Sequence, residues 1–270
     1  MKHLLSSVLF GLLIQLSVFG FSVDTVVIRS QSMNIDKKAV VILPDSYKTM
    51  QALPVLYLLH GHNGDYSDWV TRAPVIRNLA DQYNVIIVCP DGGNNWYFDS
   101  PVNNSVRYET YISGEVVNYI DKNYKSVKTA KGRAIAGLSM GGHGALYLAV
   151  RHQDVFGSAG SMSGGVDIRP FPKNWDIPSV LGSYSDNSSS WENNTVINVI
   201  DKLPARALNI IIDCGVDDFF IGVNRSLHDK LVQKKIAHTY MERPGAHTWE
   251  YWGESVRYMM LFFSEHLSAE

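Results

Sequence analysis

The chain has 270 residues, 46% hydrophobic and 19% charged, enough to build one globular domain with a sizeable core. A formal net charge of −2 gives no electrostatic reason to expect nucleic acid or an anionic surface as partner. Two cysteines, Cys89 and Cys214, are too few for a disulfide framework.

Met1-Lys2-His3 precedes a nearly unbroken apolar run from Leu4 to Phe19, followed by Gly20-Phe21-Ser22. A basic start, an apolar run and small residues at its end describe a secretory signal peptide over residues 1–22, cleaved after Gly20 or Ser22. The rival reading is an uncleaved membrane anchor, since the run approaches spanning length. No basic stop-transfer cluster follows it, which favours cleavage and a secreted or periplasmic protein with no stable membrane partner. No cysteine follows the run either, so lipid attachment there is not expected.

Thr25–Ile28 and Ala39–Leu43 read as strands, the second stopped by Pro44-Asp45. Pro54–Leu59 is apolar on both faces, as a central parallel strand should be. A short helix opens at Ala73-Pro74, with proline near its first turn. Val85–Val88 is a strand, and Pro90-Asp91-Gly92-Gly93 a turn. Tyr108–Asn123 reads as a helix, with Ile112, Val116 and Ile120 four apart on one face.

Arg133–Ala136 is a short apolar strand leading into Gly137-Leu138-Ser139-Met140-Gly141, and Gly142–Val150 continues as a helix. Strand, G-x-S-x-G, helix is the context of a nucleophile elbow, which presents Ser139 on a tight turn at a helix N-terminus. Ser158–Met162 is the next strand. Between Gly164 and Arg206 prolines, serines, asparagines and tryptophans dominate without a period, which reads as an insertion, a lid or a binding loop. Leu208–Cys214 is a strand, followed by a helix carrying Leu227 and Leu231, a strand His238–Met241, and a final helix with Val256, Met260 and Phe263 in the core. Cys89 and Cys214 each end an apolar strand and are expected as buried free thiols; a bridge between neighbouring strand ends is the alternative for an exported protein. Alternating strands and helices predict one α/β domain with a mostly parallel central sheet flanked by helices on both faces.

A serine hydroxyl needs a base to take its proton, and the base needs an orienting acid. Of the nine histidines, His3, His143, His152, His228, His238 and His266 lie in the leader, on helices or in a strand, where packing or solvation accounts for them. His247 instead stands in Pro244-Gly245-Ala246-His247-Thr248-Trp249, between the last strand and the last helix, where this arrangement needs its base. The acid should follow a strand between serine and histidine, and Cys214-Gly215-Val216-Asp217-Asp218-Phe219 offers two neighbours. Only one can face His247; Asp218 is preferred, leaving Asp217 to cap a turn or sit in solvent, and Asp213 within the strand to be structural. Backbone N–H groups of Met140 and of His62, in the loop His60-Gly61-His62-Asn63-Gly64, are the candidate oxyanion donors. Two histidines in that loop without a third ligand do not make a metal site. Asn95-Trp96-Tyr97-Phe98 is either ordinary loop packing or a pocket wall. With Trp175, Trp191 and Trp249, the residues Trp96 and Tyr97 would line an aromatic cleft for an aromatic acyl group or a sugar ring.

The five stretches around His60–Gly64, Asn95–Asp99, Gly137–Gly142, Cys214–Asp218 and Gly245–Trp249, in this order, resemble the putative-esterase family of α/β-hydrolases. That family includes tributyrin, feruloyl and acetyl-xylan esterases, S-formylglutathione hydrolases and mycolyltransferases. The likeness covers nearly all of residues 23–270 and is nearest to the tributyrin and feruloyl esterase branch. It implies Ser139, Asp218 and His247 as triad, His62 and Met140 as oxyanion donors, and Asp218 over Asp217, because the family acid stands three residues after the glycine. The expected activity is a cofactor-free serine carboxylesterase acting on a small-molecule or carbohydrate ester with short acyl, acetyl or feruloyl groups. An acyltransferase with an alcohol or sugar acceptor could use the same groups. A binding module that kept the fold would have no need of all three.

Overall fold

The computed structural model describes residues 22–204 and 207–268. The expected signal segment up to Phe21, and Ala205-Arg206 at the end of the insertion, lie outside the described residues. Among the described residues no helix is long and apolar enough to cross a membrane.

Eight strands form one sheet: β1 (Ser22–Ser30), β2 (Ile35–Leu43), β3 (Val55–Leu59), β4 (Ile86–Pro90), β5 (Arg133–Leu138), β6 (Ser158–Met162), β7 (Asn209–Gly215) and β8 (Thr239–Arg243). Their spatial order is β1-β2-β4-β3-β5-β6-β7-β8. β1 and β2 are joined by a short turn with Asn34 in the left-handed region, φ 56°, and a turn that short can only return the chain antiparallel. β2 also runs antiparallel to β4, and the remaining pairs are parallel, linked by helical crossovers. The sheet is therefore mostly parallel, as the alternation of elements predicts.

Side chains alternate across the sheet with the period of an extended chain. Val55, Tyr57 and Leu59 of β3 enter one core with Leu146 and Leu148 of the helix Met140–Arg151 and Leu227 of the helix Ile221–Gln233. Leu56 and Leu58 point the other way, into a second core with Leu79 of the helix Val75–Tyr83 and Val256, Met259 and Phe263 of the helix Trp249–Ser264. Helices thus cover both faces, which is why the central strands carry no polar alternation. Cys89 and Cys214 are buried and free, and burial raises both thiols.

Two elements differ from expectation. The stretch 108–123 is helical throughout, but Tyr111–Val116 is wound as a π-helix between α turns. Ile112, Val116 and Ile120 are fully buried all the same. Among its described residues, the segment from Gly164 contains three short α-helices, Ile177–Leu181, Ser188–Asn194 and Val196–Val199, and a 3-10 turn at Ile200–Lys202, each too brief to print a period on the sequence. Its residues Trp191, Val196, Val199 and Ile200 are core residues.

The chain crosses from β3 outward to β4, then back across β3 to β5. Strand order reverses there, so the loops leaving the C-terminal ends of β3 and β5 diverge and open a crevice.

Candidate active site

Ser139 sits between β5 and its helix with φ 54° and ψ −118°, a conformation that L-residues rarely adopt. The turn closes because its neighbours lack side chains. A Cβ on Gly137 would stand 2.5 Å from the carbonyl of Gly141, and one on Gly141 would stand 2.5 Å from the carbonyl oxygen of His60. The Ser139 N–H donates to the Met162 carbonyl on β6 at 2.9 Å, fixing the turn to the sheet. Met140 opens the helix, so its N–H has no acceptor within it and lies at the positive end of the helix dipole.

The sheet brings β7 and β8 side by side, and with them the two loops that follow. Val216 N–H donates to Arg243 O, and Asp217 N–H to Gly245 O, both at 3.0 Å. Gly215 lies so close to the Gly245 carbonyl that a side chain there has no room, and Gly245 itself has φ 139°. These contacts leave Asp217 exposed and turn Asp218 inward, where its side chain is fully buried. Asp218 Oδ1 accepts the Phe220 N–H at 2.8 Å, and Oδ2 lies 2.8 Å from His247 Nδ1. Nδ1 therefore carries the proton, and the lone pair of Nε2 faces Ser139 Oγ at 2.9 Å. The rings of Phe219, at 4.3 Å, and Trp252, at 4.8 Å, hold the imidazole in place. The three groups form one continuous hydrogen-bonded line across 108 residues of chain. Asp213, inside β7, is fully buried and paired with Arg243 and Tyr251, which accounts for it structurally.

The loop after β3 is held from below. His60 is buried, with Nδ1–H donating to Gly61 O and Nε2 accepting the Gly92 N–H, both at 2.8 Å. Burial lowers its pKa, and with both ring nitrogens engaged it is a neutral loop brace rather than a ligand. A Cβ on Gly61 would stand 3.4 Å from Ser139 Cβ, so the backbone of His62 follows directly beside Ser139.

A cleft of about 530 Å³ opens over Ser139 and His247. Of the five aromatic residues expected in its wall, Trp175 and Trp249 line it. Trp96, Tyr97 and Trp191 do not, and the expectation is corrected for all three. Trp96 is 1% exposed and spends its indole N–H on the Trp175 carbonyl at 2.9 Å. Tyr97 is buried against Gly144 and donates its hydroxyl to His60 O at 2.9 Å. Trp191 packs on Tyr184 and donates to Gly182 O. Trp96 and Tyr97 thus support the cleft from behind, whereas Trp191 belongs to the core of the insertion. Trp175 does line the cleft, in offset stacking with Phe219.

Sequence reasoning passed over Phe219, Trp252, Asp68 and Arg72, which also line the cleft. Phe219 had a signal: it follows Asp218 in a strand-end turn, and it remains 55% exposed. Arg72 lies over the Trp249 ring at 5.1 Å, a cation–π pair that only the tertiary fold brings together.

A family model described as "Putative esterase" matches residues 30–263. The acetyl esterase of Caldicellulosiruptor saccharolyticus is 28% identical over 222 residues, spanning 76% of this chain and 80% of that protein. A diacylglycerol acyltransferase/mycolyltransferase of Mycolicibacterium smegmatis is 26% identical over 245 residues, spanning 76% of this chain and 74% of that protein. Among solved structures, a ferulic acid esterase superposes with a TM-score of 0.81 at 28% identity, covering 93% of this chain and all of that one. The α/β-hydrolase sheet and the family match over nearly the whole described chain lead to one conclusion: the chain belongs to the putative-esterase family and is a carboxylic ester hydrolase.

Proposed function

We propose that this chain is an exported serine carboxylesterase in which Ser139 is the nucleophile, His247 the base and Asp218 the orienting acid. The observation that carries the reading is the unbroken line from Asp218 Oδ2 through the imidazole to Ser139 Oγ. Ser139 Oγ attacks the ester carbonyl carbon while its proton passes to His247 Nε2. Asp218 keeps the imidazole oriented and stabilises the imidazolium that forms. The N–H groups of Met140 and His62 take the negative charge that develops on the carbonyl oxygen. The imidazolium then protonates the leaving alcohol, and water repeats the attack on the acyl-enzyme. No step calls on a metal or an organic cofactor.

Support for acetyl or feruloyl substrates comes from the acetyl esterase and ferulic acid esterase relatives and from the aromatic cleft. Residues 23–270 act in this reading as one esterase domain, with the segment 164–206 shaping the cleft through Trp175. The basic, then apolar opening of the chain supports export. The mycolyltransferase relative supports a second reading, in which an alcohol replaces water as acyl acceptor. Product analysis with an added alcohol or sugar separates the two.

The test is turnover of p-nitrophenyl acetate by wild type and Ser139→Ala, with circular dichroism to verify the fold. The expected loss is on the order of 10⁶ in kcat. Equal rates would remove Ser139 as nucleophile.

A further inference from the structure

The carboxylate of Asp176 stands at the N-cap of the helix Ile177–Leu181, where an aspartate ordinarily accepts a backbone N–H from the first turn. Here it makes no such bond. It reaches instead across 114 residues of chain to His62, whose Nε2 lies 3.1 Å from Asp176 Oδ2. His62 is half-buried, with 14% of its side chain exposed, while the Asp176 side chain that reaches it is 63% exposed. The backbone that makes this reach is strained, since Trp175 and Asp176 have φ of 50° and 57° in succession. Such conformations persist where surrounding contacts over-determine them. Trp96 holds the Trp175 carbonyl, Phe171 and Phe220 pack on the Trp175 ring, and His62 holds the carboxylate. Asn94 ties down the next residue of the same loop, accepting the Asn63 N–H at 2.7 Å and donating to the Asn63 side chain at 3.0 Å.

We propose that Asp176 is a positioning residue for the esterase reaction: through the His62 imidazole it fixes the loop whose His62 N–H meets the oxyanion. The inference rests on the reading of Ser139 as nucleophile and His62 as donor. It assigns to the insertion a part in the chemical step, beyond shaping the cleft. Asp176 touches neither Ser139 nor His247; its effect passes through one side chain to one backbone amide. A donor displaced rather than deleted costs less than the hundredfold or more of losing it outright.

The experiment compares wild type, Asp176→Ala, Asp176→Asn, His62→Ala and the Asp176→Ala/His62→Ala double variant on p-nitrophenyl acetate. Asp176→Ala is expected to lower kcat about tenfold with KM nearly unchanged. Asp176→Asn, whose amide oxygen can still accept from Nε2–H, should recover most of that rate. The double variant should be no slower than the slower single one, because both break the same link. Unchanged kcat in Asp176→Ala, a rise in KM alone, no recovery in Asp176→Asn, or losses that multiply in the double variant would each overturn the assignment. Ser139→Ala runs alongside: if it too keeps full activity, the reading of the site fails; if it is inactive while Asp176→Ala is not, only the positioning role fails.

Discussion

Asp217 and Asp218 are the same residue type one position apart, yet one is exposed and the other fully buried against an imidazole. The difference comes from the backbone bonds that pin Val216 and Asp217 to the loop after β8, which leave the next side chain no direction but inward. Asp218→Asn is therefore expected to lower kcat by on the order of 10⁴, because the amide favours the wrong tautomer of His247. Asp217→Asn should stay within about threefold of wild type, as an exposed side chain away from the reacting atoms. Comparable losses in both, measured as kcat on one ester, would contradict the assignment of the acid. The meeting of Ser139, His247 and the turn that carries Asp218 was legible in the sequence because each sits at a strand end marked by glycines whose spacing the backbone itself requires. The aromatic wall was not. Whether Trp96, Tyr97 or Trp191 faces a cleft or a core depends on distant partners such as Trp175, Gly144 and Tyr184, which no local pattern reveals.

The helical stretch 108–123 shows how an element of the right type can carry unforeseen detail. Its apolar spacing predicts a buried face, and Ile112, Val116 and Ile120 are buried, but the π winding at Tyr111–Val116 left no mark in the pattern. Glu109, in the first turn, is 7% exposed and receives Tyr147 Oη at 2.9 Å, Arg151 Nε at 2.7 Å and His152 Nε2 at 2.8 Å. Burial alone would raise its carboxyl, but the hydrogen bonds from His152, Arg151 and Tyr147, together with the charge of Arg151, outweigh it and bring the pKa from 4.5 to about 2. A carboxylate whose pKa is lower folded than unfolded adds stability above its unfolded value and loses it as pH falls through its folded value. Glu109 should therefore contribute roughly 3 kcal/mol above pH 4.5, fading toward pH 2. Urea unfolding of wild type and Glu109→Gln should differ at pH 6 and converge as the pH is lowered through that window. A difference that is constant with pH would mean that the charge of Glu109 is not what ties this helix to the helix Met140–Arg151. The insertion follows the same lesson from the other side. Its short helices are defined by what they pack against, with Trp191 and Val196 in the core and Trp175 at the cleft, so composition alone could not divide them.

Across the chain, the parallel sheet is what makes the chemistry possible. It delivers the ends of β3, β5, β7 and β8 to one edge, so that loops far apart in sequence meet within hydrogen-bonding distance. That convergence was legible in the alternation of strands and helices, since a parallel sheet puts its crevice at the strands' C-terminal ends. The strand order, and the antiparallel β1 and β2 at one edge, emerged only from pairing. If these loops act as one catalytic unit, Ser139 is more nucleophilic than any other serine in the chain, and only while His247 is present. Labelling the folded protein with a fluorophosphonate, followed by peptide mass mapping, measures that property. The account predicts a single modified serine, Ser139, with labelling stoichiometric with loss of esterase activity and abolished in His247→Ala. Inactivation through a different residue, or labelling of Ser139 that persists without His247, would contradict it.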